Sequence, residues 1–365
     1  MKLEHNFVVK LTFLLFMTVC LAGCDLFSQA EAEKPAETKT VTLALGGKNL
    51  HSVANIVALM PEMNGYFKEE GLDVTLVQGD SAQNAVQLLT AGRVELMISN
   101  PEAPAVAAVN QSVPVKSVYV MARQSPYHFA VMETSATTDV ADFKGKKVGI
   151  GSLGSGGATY ASRRLRDAGL SESDYELVPI GVGAPAFEAV KNGVVDGFVS
   201  FDGDLANAVA SGYDIRFLPD AEWQAKIYGF NVYALDSYIK ENPDVIKGVG
   251  RALAKATVFV AANPEESIKL LWKTHPQSAP NNTDDPAVME QSLTVLNAQL
   301  AAFHAIGHDT LPKWGSQEAD SWSFFTDYLV ESGELKGTPD ASMLYTNEFA
   351  DDYNSFDVSA VQGRD

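Results

Sequence analysis

From residue 41 onward the chain alternates short apolar runs with longer amphipathic stretches, and it does so twice in nearly the same order. Residues 41–45, 74–77, 96–98 and 115–121 read as strands, with helices at 53–67, 82–90 and 103–109 between them. Pro61 is expected to end or break the first of these helices, because it lacks an N–H and crowds the preceding turn. A second set follows, with strands at 147–150, 176–180, 197–199 and 215–217 and helices at 158–168, 185–192 and 205–210. Strands that alternate with helices predict an α/β fold built on parallel, doubly wound sheets. The remainder reads as mostly helical, at 244–262, 265–274, 286–303 and 316–332.

One pair of segments carries the repeat in its residues. Gly92-Arg93-Val94-Glu95-Leu96-Met97-Ile98-Ser99 aligns with Gly193-Val194-Val195-Asp196-Gly197-Phe198-Val199-Ser200. Each has a Gly suited to a helix C-cap, then a Val, an acid, an apolar strand and a Ser at the strand's end. Many helix–turn–strand units share parts of this pattern, but the similar order of units before each copy favours two related lobes. Residues 128–134 and 227–235 are extended and rich in aromatic or β-branched side chains, and read as two crossings between the lobes. The expected boundaries are 41–130 plus 235–357 for lobe 1 and 131–234 for lobe 2.

The N-terminus reads as an export signal. Lys2 and Lys10 flank its start, and residues 11–22 form an apolar stretch too short for a comfortable membrane span. It ends in Leu21-Ala22-Gly23-Cys24, which resembles the bacterial lipobox. That resemblance implies removal of residues 1–23 and lipid on Cys24, with several acyl chains giving stable anchoring. Cys20 and Cys24 are the two cysteines of the chain, so the mature protein is expected to have no disulfide. Residues 24–40 then form the lipidated cysteine and a flexible tether, rich in Ala, Glu, Lys and Pro. Asp25 resembles the signal that retains enteric lipoproteins on the outer face of the inner membrane. The site of the anchored domain is thus the periplasm or the cell exterior. The net charge of −19, without a basic stripe, excludes nucleic acid as a partner and reads as a soluble surface that resists self-association, so a monomer is expected.

Catalytic patterns are thin. Gly149-Ile150-Gly151-Ser152-Leu153-Gly154 spells a GxGxxG, yet Gly149 falls inside a strand and the next strand ends without an acid for a ribose hydroxyl. No cofactor is expected. The following loop, residues 154–157, opens a helix and reads either as a plain tight turn or as a cradle for an anionic group. His304 and His308 lie four apart without a third ligand, so no metal site is expected. His51 and His128 lack an evident partner in the sequence and are expected to hydrogen-bond rather than catalyse. Ligands of open parallel sheets bind outside the C-terminal strand ends. Here those ends carry Gly46 to Asn49, Gly79 to Ser81, Ser99-Asn100, Ser152 to Gly157, Gly183-Ala184 and Ser200 to Asp202. Phe201 offers a stacking face, and Asp202 can pair with an amine or other N–H donor.

Four stretches resemble the substrate-binding lipoproteins of ABC importers, in the NMT1/THI5-like group of sulfonate-, nitrate- and thiamine-precursor-binding proteins. They are Gly65-Tyr66-Phe67-Lys68-Glu69-Glu70-Gly71-Leu72-Asp73-Val74, Asp142-Phe143-Lys144-Gly145-Lys146-Lys147-Val148-Gly149, Gly193-Val194-Val195-Asp196 and Leu344-Tyr345-Thr346-Asn347-Glu348-Phe349. The resemblance spans about residues 41–350. It implies a type II periplasmic-binding-protein fold, two doubly wound lobes joined by two crossing segments with a helical C-terminal part, that closes on a small polar organic solute by a hinge. It also implies an ABC permease with its ATPase as partner. Phe201-Asp202 matches the aromatic–acid pair of amine-sulfonate-binding relatives. The cysteine-rich motif of the pyrimidine-synthesising relatives is absent, which argues against an enzyme. A same-fold enzyme of pyrimidine metabolism and a solute sensor for a signalling partner stand as alternatives. The expected ligand-binding residues are Asn49, Asn100, Ser155, Gly156, Ser200, Phe201 and Asp202.

Overall fold

The computed structural model describes residues 38–46, 50–303 and 313–363. The signal segment, Cys24, Asn49, His304 and His308 lie outside the described residues. Among the described residues there are ten strands: β1 (Lys39–Gly46), β2 (Leu72–Gly79), β3 (Leu96–Ser99), β4 (Val115–Val120), β5 (Tyr127–Met132), β6 (Lys146–Ile150), β7 (Tyr175–Pro179), β8 (Gly197–Phe201), β9 (Ile215–Phe217) and β10 (Asn231–Leu235). They form two five-stranded sheets, in the orders β2-β1-β3-β10-β4 and β7-β6-β8-β5-β9. Within each, the strands β1, β2, β3 or β6, β7, β8 pair in parallel. The fourth strand in each order, β10 or β5, is antiparallel to both its neighbours. The two sheets therefore share one topology, mixed rather than wholly parallel.

The crossings explain the antiparallel strands. Each segment read as a crossing becomes a strand, and it is inserted into the sheet it enters. By sheet membership, residues 127–130 sit with the second sheet and 231–234 with the first, opposite to the expected boundaries. Short apolar runs alone could not reveal this, because a strand's sheet is set by partners far away in the chain.

Both faces of each sheet are covered, as near-continuous apolar strands require. Leu43, Leu45 and Ile98 point to a core that includes the long helix Pro243–Ala262, whereas Ala44 and Met97 point to one that includes Trp322 and Phe325. In the second lobe Phe129 and Val199 face one core, and Ala130 and Phe198 the other. The helix read at 53–67 is broken, but not at Pro61: Ile56–Met63 runs through it and ends at Asn64, and a short helix Tyr66–Glu69 follows. The missing hydrogen bond is outweighed by burial of Ile56, Val57, Leu59 and Met60 against the helix Pro243–Ala262.

The repeated segments occupy equivalent places, each running from the turn after a helix into a strand, β3 or β8. Gly92 and Gly193 both adopt left-handed backbone, with φ of 62° and 70°, where a Cβ would be strained. The acids then do the same work in each lobe. Thr42 N–H donates to Glu95 Oε2 at 2.6 Å while Glu95 N–H donates to Thr42 O at 3.0 Å. Lys147 N–H donates to Asp196 Oδ2 at 2.8 Å while Asp196 N–H donates to Lys147 O at 2.9 Å. Each acid thus extends the ladder between the central strand and its neighbour.

Candidate functional site

The two lobes touch through the loops at their strand ends. Asn100, just past β3, is buried and donates from Nδ2 to the Tyr127 hydroxyl at the start of β5, at 2.9 Å. Gln83, in the helix Ala82–Thr90, donates its amide to the Gly154 carbonyl of the other lobe. The closest approach is at Gly156. A Cβ there would lie 2.0 Å from Asn100 Nδ2 and 3.0 Å from Glu102 Oε1, so a side chain at this position would hold the lobes apart. Helices add to the contact. Pro286–Ala302 packs along Asp202–Ala210, and Arg163 Nη1 lies 2.6 Å from Glu331 Oε2.

Between the lobes is a cleft of about 470 Å³ lined in part by Gln83, Asn100, Glu102, Ser155, Gly156 and Glu334. Glu102 begins the helix Glu102–Asn110 and is 9% exposed, with Oε2 buried and without a hydrogen-bond partner. Burial drives its pKa up to about 8. The hydrogen bond from its own backbone N–H works against the shift, and the charge of Glu334 adds to it. Glu334 is raised as well, by burial, against a hydrogen bond from Thr159. The cleft therefore holds two carboxyl groups that resist ionisation, and among the described residues no Lys, Arg or His lines it.

The second lobe's acid is arranged differently. Asp202 opens the helix Asp202–Ala210, and its Oδ1 lies 2.6 Å from His128 Nε2. His128 Nδ1 lies 2.8 Å from Asp220 Oδ1. Burial works to lower the His128 pKa, but the hydrogen bonds and charges of Asp202 and Asp220 together raise it to about 9. At neutral pH His128 is an imidazolium donating to two carboxylates. Its partners lie 74 and 92 residues away, which is why it had none in the sequence.

The other expected residues divide in the same way. Asn100, Ser155 and Gly156 line the cleft. Ser155 Oγ donates to Ser152 O at 2.7 Å. Ser200 is buried, and its hydroxyl donates to Asp204 Oδ2 at 2.5 Å, while the other Asp204 oxygen accepts the Gly183 N–H. Phe201 is half-buried, with its ring edge beside Gly203. Ser200 and Asp202 thus bond within their own lobe. The GxGxxG spelling has a packing cause: a Cβ on Gly149 would lie 2.4 Å from Ile180 Cδ1. Gln83, Tyr127, Glu102 and Glu334 were not singled out from sequence. Glu102 left a signal, as the single charged residue of its helix, EAPAVAAVN.

The sequence signature of the family described as NMT1/THI5 like matches residues 55–267. The formylaminopyrimidine-binding protein of Halalkalibacterium halodurans is 24% identical over 323 residues, 88% of this chain and 92% of that one. The riboflavin-binding protein RibY of Chloroflexus aurantiacus is 21% identical, over 78% of this chain and 79% of its own. Among solved structures, the alkanesulfonate-binding protein SsuA from Xanthomonas axonopodis pv. citri, bound to MOPS, superposes with a TM-score of 0.64 at 19% identity. It covers 85% of this chain and 99% of its own. The fold shared with such structures is that of the periplasmic binding proteins.

Proposed function

This chain belongs to the NMT1/THI5-like family, and from that premise we propose that it is the solute-capturing component of an ABC importer. It takes a small polar organic solute between its lobes and delivers it to a permease driven by an ATPase. The observation that carries this reading is the meeting of equivalent strand-end loops from two lobes of one topology, with Asn100 bonded to Tyr127 and Gln83 to Gly154 across the gap. Such contacts exist only when the lobes are together. A solute that bridges them favours the shut form by its differential affinity. Asn100, Ser155 and Gly156 form the rim that meets the solute.

The binding-protein relatives, which span most of this chain, support capture rather than turnover. The absence of any cysteine beyond Cys24 supports the same reading against the pyrimidine-synthesising relatives. Export and a lipid anchor on Cys24 fit this role, since a receptor tethered to the membrane stays near its permease. Among the described residues no helix is long and apolar enough to cross a membrane.

The test is a thermal-shift screen of purified protein against sulfonates, amines, nitrogen heterocycles and carboxylates, followed by small-angle scattering. A true ligand at a hundred times its Kd stabilises by about 2.7 kcal/mol and reduces the radius of gyration. If no solute class shifts the melting point and the radius is insensitive to all of them, the receptor reading fails.

A further inference from the structure

The cleft has a charge character that neither the family nor its named relatives specify. Two carboxyl groups from the first lobe, Glu102 and Glu334, line it together with the amides of Gln83 and Asn100, and among the described residues no basic side chain lines it, Arg166 lining the adjoining cavity on the far side of Glu334 and Thr159. Glu102 is more than nine-tenths buried, and its Oε2 has no hydrogen-bond partner. Its Oε1 faces Gly156, the first residue of the helix Gly156–Asp167. That helix start was expected to be either a tight turn or a cradle for an anion. In the structure a carboxyl of this chain's own already occupies the approach to it.

We propose that Glu102 is the specificity-determining residue of the cleft, and that the solute presents a cationic nitrogen, an amine or amidine, to it. This rests on the receptor reading and deepens it. A positively charged N–H donor supplies Oε2 with the partner it lacks and gives the two carboxyls a shared counter-charge. An anionic sulfonate in the same place would meet two acids and no cation. Asp202 also leaves one buried oxygen, Oδ2, without a partner, but its charge is already met at Oδ1 by His128, whereas Glu102 has no cation beside it. The groups that face Glu102 are Glu334 and the hydroxyls of Tyr127, Tyr233 and Tyr328, all uncharged or acidic. A cation therefore binds better as Glu102 loses its proton, and below about pH 8 its binding releases that proton.

The test is calorimetry with a matched pair, benzamidine and benzenesulfonate, which carry opposite charges on the same ring. Benzamidine is expected to bind, with affinity rising up to about tenfold per pH unit between pH 6 and 8 and with proton release measurable in buffers of different ionisation enthalpy. Glu102→Gln, which keeps shape and hydrogen-bonding capacity, is expected to weaken benzamidine about 10- to 100-fold and to flatten the pH slope. Glu334→Gln retains a slope. Binding of benzenesulfonate in place of benzamidine, or benzamidine binding unchanged by Glu102→Gln, overturns the assignment while leaving the receptor reading intact. If neither compound binds, the inference falls, and the receptor reading is decided separately by the wider screen.

Discussion

The two lobes place an acid at the first residue of the helix that follows β3 and of the helix that follows β8, and then treat it in opposite ways. In the second lobe Asp202 meets an imidazolium that is itself held by Asp220. In the first lobe Glu102 meets only another acid and neutral groups. A buried carboxylate with a counter-ion is part of the scaffold, because removing either partner strands a charge. A buried carboxyl without one is held neutral at a cost to stability, and such costs collect where function requires them. The difference separates what holds a lobe together from what waits for something to bind.

The largest effect should come from the acid that has a counter-ion. His128→Ala leaves Asp202 buried without its partner and is expected to cost about 3 kcal/mol in urea unfolding at pH 7. The wild-type advantage should be fully present below pH 6.5 and be lost as pH rises through about 9, because the folded-state pKa of His128 is raised. An equal effect at pH 6 and pH 10 would break the comparison.

Next in size is closure. Gly156→Ala puts a methyl group against Asn100 and Glu102 and is expected to cost about 1–3 kcal/mol or to spring the lobes open, seen as a larger radius of gyration in scattering. Gly154→Ala, whose nearest neighbour is the flexible end of Gln83, should do neither. The unsatisfied acid should respond with the opposite sign to His128. Glu102→Gln is expected to raise the melting temperature, with the gain growing from about pH 4.5 to about pH 8, because the stability of a raised carboxyl is lost over that window. A variant less stable than wild type at pH 8 would mean that Glu102 has a partner after all. The smallest effects belong to the ladder acids. Glu95→Ala and Asp196→Ala should each cost about 1 kcal/mol by chemical denaturation, with the half-buried Glu95 the more costly.

Much of the frame was legible because it depends on local pattern. The strands at 41–45 and 96–98, the repeat of Gly92 to Ser99 in Gly193 to Ser200, and the long helix after residue 243 all follow from apolar periodicity and capping. What escaped depends on partners distant in the chain. The insertion of β5 and β10 into opposite sheets needs neighbours about a hundred residues away. Pro61 looked like a stop because its lost hydrogen bond is local, whereas the packing that overrides it is not. In the candidate site, the loops of Asn100, Ser155 and Gly156 could be named from their position at strand ends. The sequence singles out Asp202 by its place after Phe201 at a strand end and passes over Glu102, and the imidazolium that meets Asp202 lies 74 residues away, beyond any local pattern.

The placement of β10 has a consequence for synthesis. The second sheet is complete once residues 127–217 have emerged, but in the first sheet β4 pairs along its length with β10 and has no other named strand beside it. The half made first must therefore wait, with an unfinished edge, until the half made second has been threaded through. A chain arrested by a stop codon near residue 225 should yield an assembled later half and an earlier half still open to proteases.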